Sequence, residues 1–328
     1  MTVGLHFQPD AARAVELNAR MHLELAASLR HVCEQSRGVL KFDEGAMARL
    51  QQRLSDGVNY PAATFARYYE LVDAIVEDRL DEAQTLFLEL GEAQPWDGGL
   101  DVSVLGSPEL GSESLRYTRM MNSDPTLDLG FTVPADPVAA AFRRRLGAGL
   151  DQLRRGLPEL FGEFSAIVRQ IVLCGGDPAK SQQFDGGSHF RLWGSLFLNA
   201  EFHPTPLAVV EVLAHESAHS LLFGFCTQTP LVENDEAERF ASPLRTDPRP
   251  MEGIYHATYV SARMCCAMTQ LIQTDVLTAD EVDLARAAAL QDRDNFYAGH
   301  GVVAEHGRLT EMGAALMASA KSYMDAHA

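Results

Sequence analysis

Residues 215–219 read His215-Glu216-Ser217-Ala218-His219, the HExxH pattern. The pattern has a use only on a helix. There, positions i and i+4 share one face, so both imidazoles reach one metal ion. The flanking residues supply that helix. Thr205-Pro206 reads as an N-cap followed by proline in the first turn, and Gly224 reads as the stop. Between them Leu207, Val210, Ala214, Ser217 and Leu221 form an apolar or small stripe. Glu211, His215 and His219 form a neighbouring one. Glu216 sits about 100° round the helix from His215, close enough to act on a metal-bound ligand. The competing reading is a core helix that carries two partly buried histidines.

Around this helix the chain reads as α+β and mostly helical. Helical periodicity predicts helices over Ala11–Cys33, Phe42–Leu54, Pro61–Glu77 and Asp81–Leu90. Glycine-punctuated residues 93–135 predict a long connection with one short strand near Val102–Leu105. Ala135–Leu153 returns to helix. Ala166–Cys174 and His189–Asn199 are β-branched or alternating and read as strands. Glu252–Thr274, Thr278–Gln291 and Leu309–Ala326 complete the helices. The expected division is a helical part over 1–135, packed on the core, and a metal-binding part over 136–328.

Composition excludes several partners. A formal charge of −18 repels nucleic-acid backbone and anionic membrane. No apolar run has the length of a membrane span, and the N-terminus carries no basic-then-apolar secretory pattern. The five cysteines include an adjacent pair and no CxxC, which fits free thiols in a reducing compartment. The expectation is a cytoplasmic protein with neither nucleic acid nor membrane as partner.

Two histidines do not complete a metal site, since catalytic zinc and non-haem iron both take three protein ligands. Three residues are candidates for the third. Glu238 lies in the acidic segment Val232–Phe240, at a spacing that resembles the gluzincin metallopeptidases, whose third ligand is a glutamate on a following helix. His256 lies in Gly253-Ile254-Tyr255-His256-Ala257, at the start of an otherwise apolar helix. His203, just before the metal helix, is a turn residue or a supporting group. A further feature is Ser242-Pro243-Leu244-Arg245-Thr246-Asp247-Pro248-Arg249-Pro250. Its three prolines stiffen a loop bearing two arginines, a form suited to bidentate capture of a carboxylate. Pairing of those arginines with the Glu233–Glu238 cluster is the alternative.

Strand, short turn and HExxH helix in succession resemble the zincin-like metalloenzymes. HExxH followed by SPLRTDPRP and GIYHA resembles the HExxH-type 2-oxoglutarate-dependent peptide β-hydroxylases. The resemblance spans His215 to about Arg263, and residues 1–135 have no motif counterpart. It implies an Fe(II) centre and a fold other than the double-stranded β-helix. It implies His215, His219 and His256 as iron ligands, and Arg245 and Arg249, with Ser242 and Tyr255 nearby, as the 2-oxoglutarate site. Glu216 keeps its motif position, to orient a ligand or a water. The reaction implied is hydroxylation of an unactivated carbon, Cβ of a residue in a peptide or carrier-protein-bound intermediate, using O₂ and releasing succinate and CO₂. The rival reading is a zinc peptidase that uses His215, His219 and Glu238 with Glu216 as general base. A third is a non-catalytic binding protein with a degenerate site.

Overall fold

The computed structural model describes residues 4–122, 130–177, 179, 184–243 and 247–327. It is α+β and mostly helical, with a small open sheet, and is not a double-stranded β-helix. The chain divides into two units that interleave in sequence. One comprises Met1–Val15, Ala140–Ala166 and Phe202–Ala328; the other comprises Glu16–Ala139 and Ile167–Glu201. The chain changes unit at 139/140 and at three further places. Two segments cross the expected division: residues 1–15 join the later part and residues 167–201 the earlier part.

The sheet lies in the second of these units. Its strands are β1 (Asp101–Val104), β2 (Phe131–Thr132), β3 (Gln170–Gly176), β4 (Gly186–Ser188) and β5 (Ser195–Asn199). The order is β1-β3-β5-β4, with β1, β3 and β5 parallel, β4 antiparallel, and β2 antiparallel on the end of β3. The two central strands are buried on both faces, which explains their near-continuous apolar sequence. Helices α1 (Ala11–Ser36), α2 (Glu44–Ser55), α3 (Ala62–Val76) and α4 (Leu80–Gly91) occupy the predicted positions.

Several elements depart from expectation; the predicted strand His189–Asn199, for one, opens as a 3-10 turn over Phe190–Leu192 before β5. Residues 113–121 form α5 (Glu113–Met121), where the glycine-rich sequence predicts an irregular connection. This helix is set by tertiary contacts. Tyr117, Met120 and Met121 enter the core with Val172 and Phe197, while Arg116 bonds Glu70 at 2.6 Å, Glu89 at 2.7 Å and Glu113 at 2.9 Å. The predicted strand Ala166–Cys174 starts only at Gln170, because Ala166 and Ile167 end helix α7 (Pro158–Ile167), which follows α6 (Asp136–Gly156). Leu160, Phe164 and Ile167 supply its buried helical spacing.

His22 of α1 is buried and neutral by construction. Its Nε2 accepts from the Tyr60 amide at 3.0 Å, and its Nδ1 lies 2.8 Å from the Asn18 carbonyl, to which it donates. Burial lowers its pKa below 6.5. The unfolded chain therefore takes up the proton first as pH falls. The stabilisation is complete above about pH 6.5 and is lost progressively below it. Denaturant melts between pH 7.5 and 5 are expected to show this loss, and His22→Gln to flatten it.

The other unit holds α8 (Pro206–Phe225), α9 (Met251–Ile272), α10 (Ala279–His306) and α11 (Glu311–Ala326). Helix α10 outruns its predicted end by four turns, because α9 packs along it and Thr258 occupies the space where a Cβ at Gly299 would stand. Gly149 of α6 lets that helix approach α8, since a Cβ there would lie 2.6 Å from Val209 Cγ1. A buried ion triad ties three segments together. Glu163 accepts from Arg13 at 2.7 Å, from the Asp10 amide at 3.1 Å and from Arg263. All three charged side chains are about 1% exposed. Arg263 also donates to the Phe7 carbonyl at 2.8 Å. All five cysteines are free thiols, and burial raises every one, Cys33 and Cys265 to about 11 and Cys226 to about 12. Glu163→Ala strands two buried guanidinium groups and is expected to cost about 3–5 kcal/mol in chemical denaturation.

Candidate metal centre

Helix α8 starts as its sequence specifies: Thr205 Oγ1 accepts from the Ala208 amide at 3.1 Å and Pro206 occupies the first turn. It is buried nearly all round, with one half-open stripe formed by Ala208, Glu211, His215, His219 and Phe223. These residues recur every three or four positions, so both motif histidines fall on the only face that a ligand can approach. Glu216, a step round the helix, is buried, with Oε1 3.9 Å from His215 Nε2.

His215 Nε2 and His219 Nε2 are 3.1 Å apart. Two nitrogens that bind one ion at about 2.1 Å, at roughly a right angle, stand about 3.0 Å apart. The pair therefore fits two adjacent ligand positions. On the other side of the ring, His219 Nδ1 is 3.1 Å from His256 Nδ1, and the two imidazoles stack at 5.4 Å and 19°. Phe223 covers both, with ring centroids 6.5 Å from His219 and 5.5 Å from His256. Phe223 was not singled out from sequence, although its place four residues after His219 puts it on the same stripe.

The three histidines thus come together as a chain: His215, His219, His256. Among the described residues no set of three or more His, Cys, Asp or Glu side chains converges as a metal-binding group. The tautomers follow. If both Nε2 atoms hold a metal, His219 carries its proton on Nδ1 and donates it to His256 Nδ1. His256 then protonates Nε2, a buried atom with no hydrogen-bond partner. In this arrangement His256 orients His219. To serve as third ligand its ring has to turn and bring an imidazole nitrogen to the metal face. Burial holds His219 well below 6.5, with His215 and His256 adding repulsion, and pushes His256 down to about 4. Both are neutral at physiological pH, the form that binds a metal.

The remaining sequence candidates have other partners, although the Tyr255 ring lies 6.5 Å from that of His256. Segment 232–240 is turn and extended backbone, not the expected helix, and Glu238 bonds Arg308 at 2.6 Å and Asn234 at 3.3 Å. His203 adopts φ 54°, and its carbonyl accepts from Arg145 at 3.2 Å. Arg249 pairs with Asp247 at 2.8 Å, and its backbone bridges to Phe240. Arg245 lies outside the described residues. Ser242 is half-buried just before that gap. Tyr255 is fully buried and its hydroxyl donates to the Gly313 carbonyl at 2.8 Å, which commits it to packing α9 on α11.

Burial raises the pKa of Glu211, one turn before His215, and Glu211 in turn acts on buried Asp292 of α10. Asp292 is pushed up to about 8, by burial first and by Glu211 second, and its Oδ2 has no hydrogen-bond partner. Unfolded, it ionises near 3.8. Stability is therefore lost as pH rises from about 4 to 8, while only the unfolded chain is ionised. Asp292→Asn is expected to stabilise the protein by on the order of 2 kcal/mol at pH 7.5. Thermal melts at pH 4 are expected to show no difference. Compared with known proteins, the chain matches no family model and no curated sequence.

Proposed function

We propose that the chain is an Fe(II)/2-oxoglutarate-dependent oxygenase. Its substrate is an amino-acid residue of a peptide or carrier-protein-bound intermediate, hydroxylated at an unactivated carbon, Cβ. One observation carries the choice of site: His256 touches His219, whereas Glu238 is bonded to Arg308 and Asn234. The available donors are then imidazoles, which suit iron among other metals. The resemblance of HExxH, SPLRTDPRP and GIYHA to the HExxH-type peptide β-hydroxylases selects iron and 2-oxoglutarate. The order of strand β5, turn and α8 supports a zincin-like arrangement.

When bound, the iron with its keto acid supplies the oxidant for C–H hydroxylation; O₂ gives one oxygen to the product and one to succinate, with CO₂ released. The protein's own residues bind and orient. His215 and His219 hold the metal through Nε2, and His256 fixes the His219 ring or turns to become the third ligand. Buried Glu216 places a carboxylate beside His215, where it orients a ligand or a water. Arg245 or Arg249 takes the distal carboxylate of the keto acid by a bidentate contact. For Arg249 this means exchanging Asp247 for the ligand. Phe223 and the buried faces of α8 and α9 exclude water from the imidazoles.

The rival zinc-peptidase reading draws on one observation, Glu216 Oε1 at 3.9 Å from His215 Nε2, a position open to a general base. Its third ligand would be Glu238, which here pairs with Arg308 at 2.6 Å.

Anaerobic reconstitution with Fe(II) and 2-oxoglutarate separates the two. A visible charge-transfer band that requires both components is expected. His256→Ala is expected to abolish it or shift it markedly, Arg245→Ala or Arg249→Ala to raise the 2-oxoglutarate needed at least tenfold, and Glu238→Ala to leave it unchanged. A missing band, with one tightly held zinc that Glu238→Ala releases, would sink the oxygenase reading.

A further inference from the structure

The sheet-bearing unit carries an open surface pocket of about 490 Å³. Its walls are Trp96, Leu100 and Leu110, and its floor is Asp101, Ser103 and Gln170 at the starts of the parallel pair β1 and β3. Glu109 also lines it. The floor is a fixed hydrogen-bond chain. Tyr117 donates to Gln170 Oε1 at 3.0 Å, and Gln170 Nε2 donates to Asp101 Oδ2 at 2.9 Å and to Ser103 Oγ at 3.1 Å. Ser103 in turn donates to Asp101 Oδ2. Tyr117, Ser103 and Gln170 are buried, so the chain cannot reorganise cheaply.

This chain spends both donors on one oxygen of Asp101. No hydrogen bond or ion pair engages Oδ1 among the described residues, and no basic side chain neutralises the carboxylate. A half-buried carboxylate held rigid by neutral donors keeps its second oxygen available for a cation. Trp96 lines the same pocket. Its amide donates to the Asn59 carbonyl at 2.8 Å and its indole NH to the Gly98 carbonyl at 2.9 Å, which fixes the ring as a wall. An indole face next to a carboxylate favours an organic cation twice over, by ion pairing and by cation–π attraction. Leu100 and Leu110 offer apolar surface for the carbon chain that carries it.

We propose that this cavity binds an alkylammonium or alkylguanidinium group, with Asp101 as the anionic partner and Trp96 as the aromatic wall. The proposal does not depend on the histidine centre. The cation's source is either a free amine or a lysine or arginine side chain of a polypeptide.

Calorimetric titration of the full chain tests it with n-butylammonium, N-acetyl-lysine methylamide and the norleucine counterpart of the latter. Saturable binding of the cationic probes, with the norleucine compound at least tenfold weaker, is expected. Asp101→Asn keeps an acceptor for Gln170 and Ser103 and is expected to weaken cation binding at least tenfold. Gly99→Leu gives a second variant, because the space at its Cβ is open and the new side chain can fill the cavity. It too is expected to cost tenfold, and it decides the matter if Asp101→Asn fails to fold by circular dichroism. Equal affinity for the two cationic probes assigns the site to amines in general. A tenfold preference for the lysine derivative assigns it to polypeptide. The proposal is overturned if no cationic probe binds by 10 mM, if norleucine binds equally, or if folded variants keep the wild-type affinity.

Discussion

Glu163 is the fixed point of the histidine-bearing unit. Its carboxylate takes Arg13 from the N-terminal segment and Arg263 from α9, with almost no solvent at any of the three. Two positive charges against one leave a deficit of acceptors, and the backbone carbonyls of His6, Phe7 and Gln8 make up most of it, Arg13 Nε remaining without a partner. Such a cluster adds little net stability over apolar packing, but it tolerates few alternative geometries. Arg263 lies seven residues beyond His256 on the same helix, about two turns. Fixing α9 there fixes the rotation that presents His256 to His219. The N-terminal segment, remote in sequence, thereby becomes a condition for the geometry of the centre.

The centre itself is shaped by dehydration. Helix α8 gives up almost all its surface to packing and leaves open one stripe, on which both motif histidines lie. Enclosure keeps His219 and His256 neutral, so their nitrogens are free to accept a metal or pass a proton along the row. The same enclosure makes the lone buried Nε2 of His256 costly, and an ion or a turned ring would relieve that cost.

Local chemistry was legible in the sequence wherever it acts locally. The cap at Thr205, the proline start and the four-residue histidine spacing all reappear as written. The first four helices do as well, each with a clean apolar period. Elements that exist because of a distant partner were not legible. Helix α5 depends on Glu70 and Glu89 for its arginines, and the second half of α10 on the face of α9. The meeting of His256 with His219 was read from motif order, but which nitrogen faces which is a matter of ring torsion that sequence does not encode. Glu238 was placed by spacing on a helix, and the acidic segment instead turns back to Arg308 and the Asn234 side chain. Its charge sought a surface cation, a cheaper partner than a buried metal.

The five thiols carry a consequence for a protein read as handling iron and oxygen. With ionisation pushed to about 11 for Cys33 and Cys265, only about one such thiol in ten thousand is a thiolate at neutral pH. Peroxide attacks the thiolate, and disulfide exchange begins from it. Burial thus acts as chemical armour. If the proposed turnover released partly reduced oxygen, the half-open His215 and His219 would meet it before these sulfurs, and damage would appear as lost metal and not as cross-linked chain.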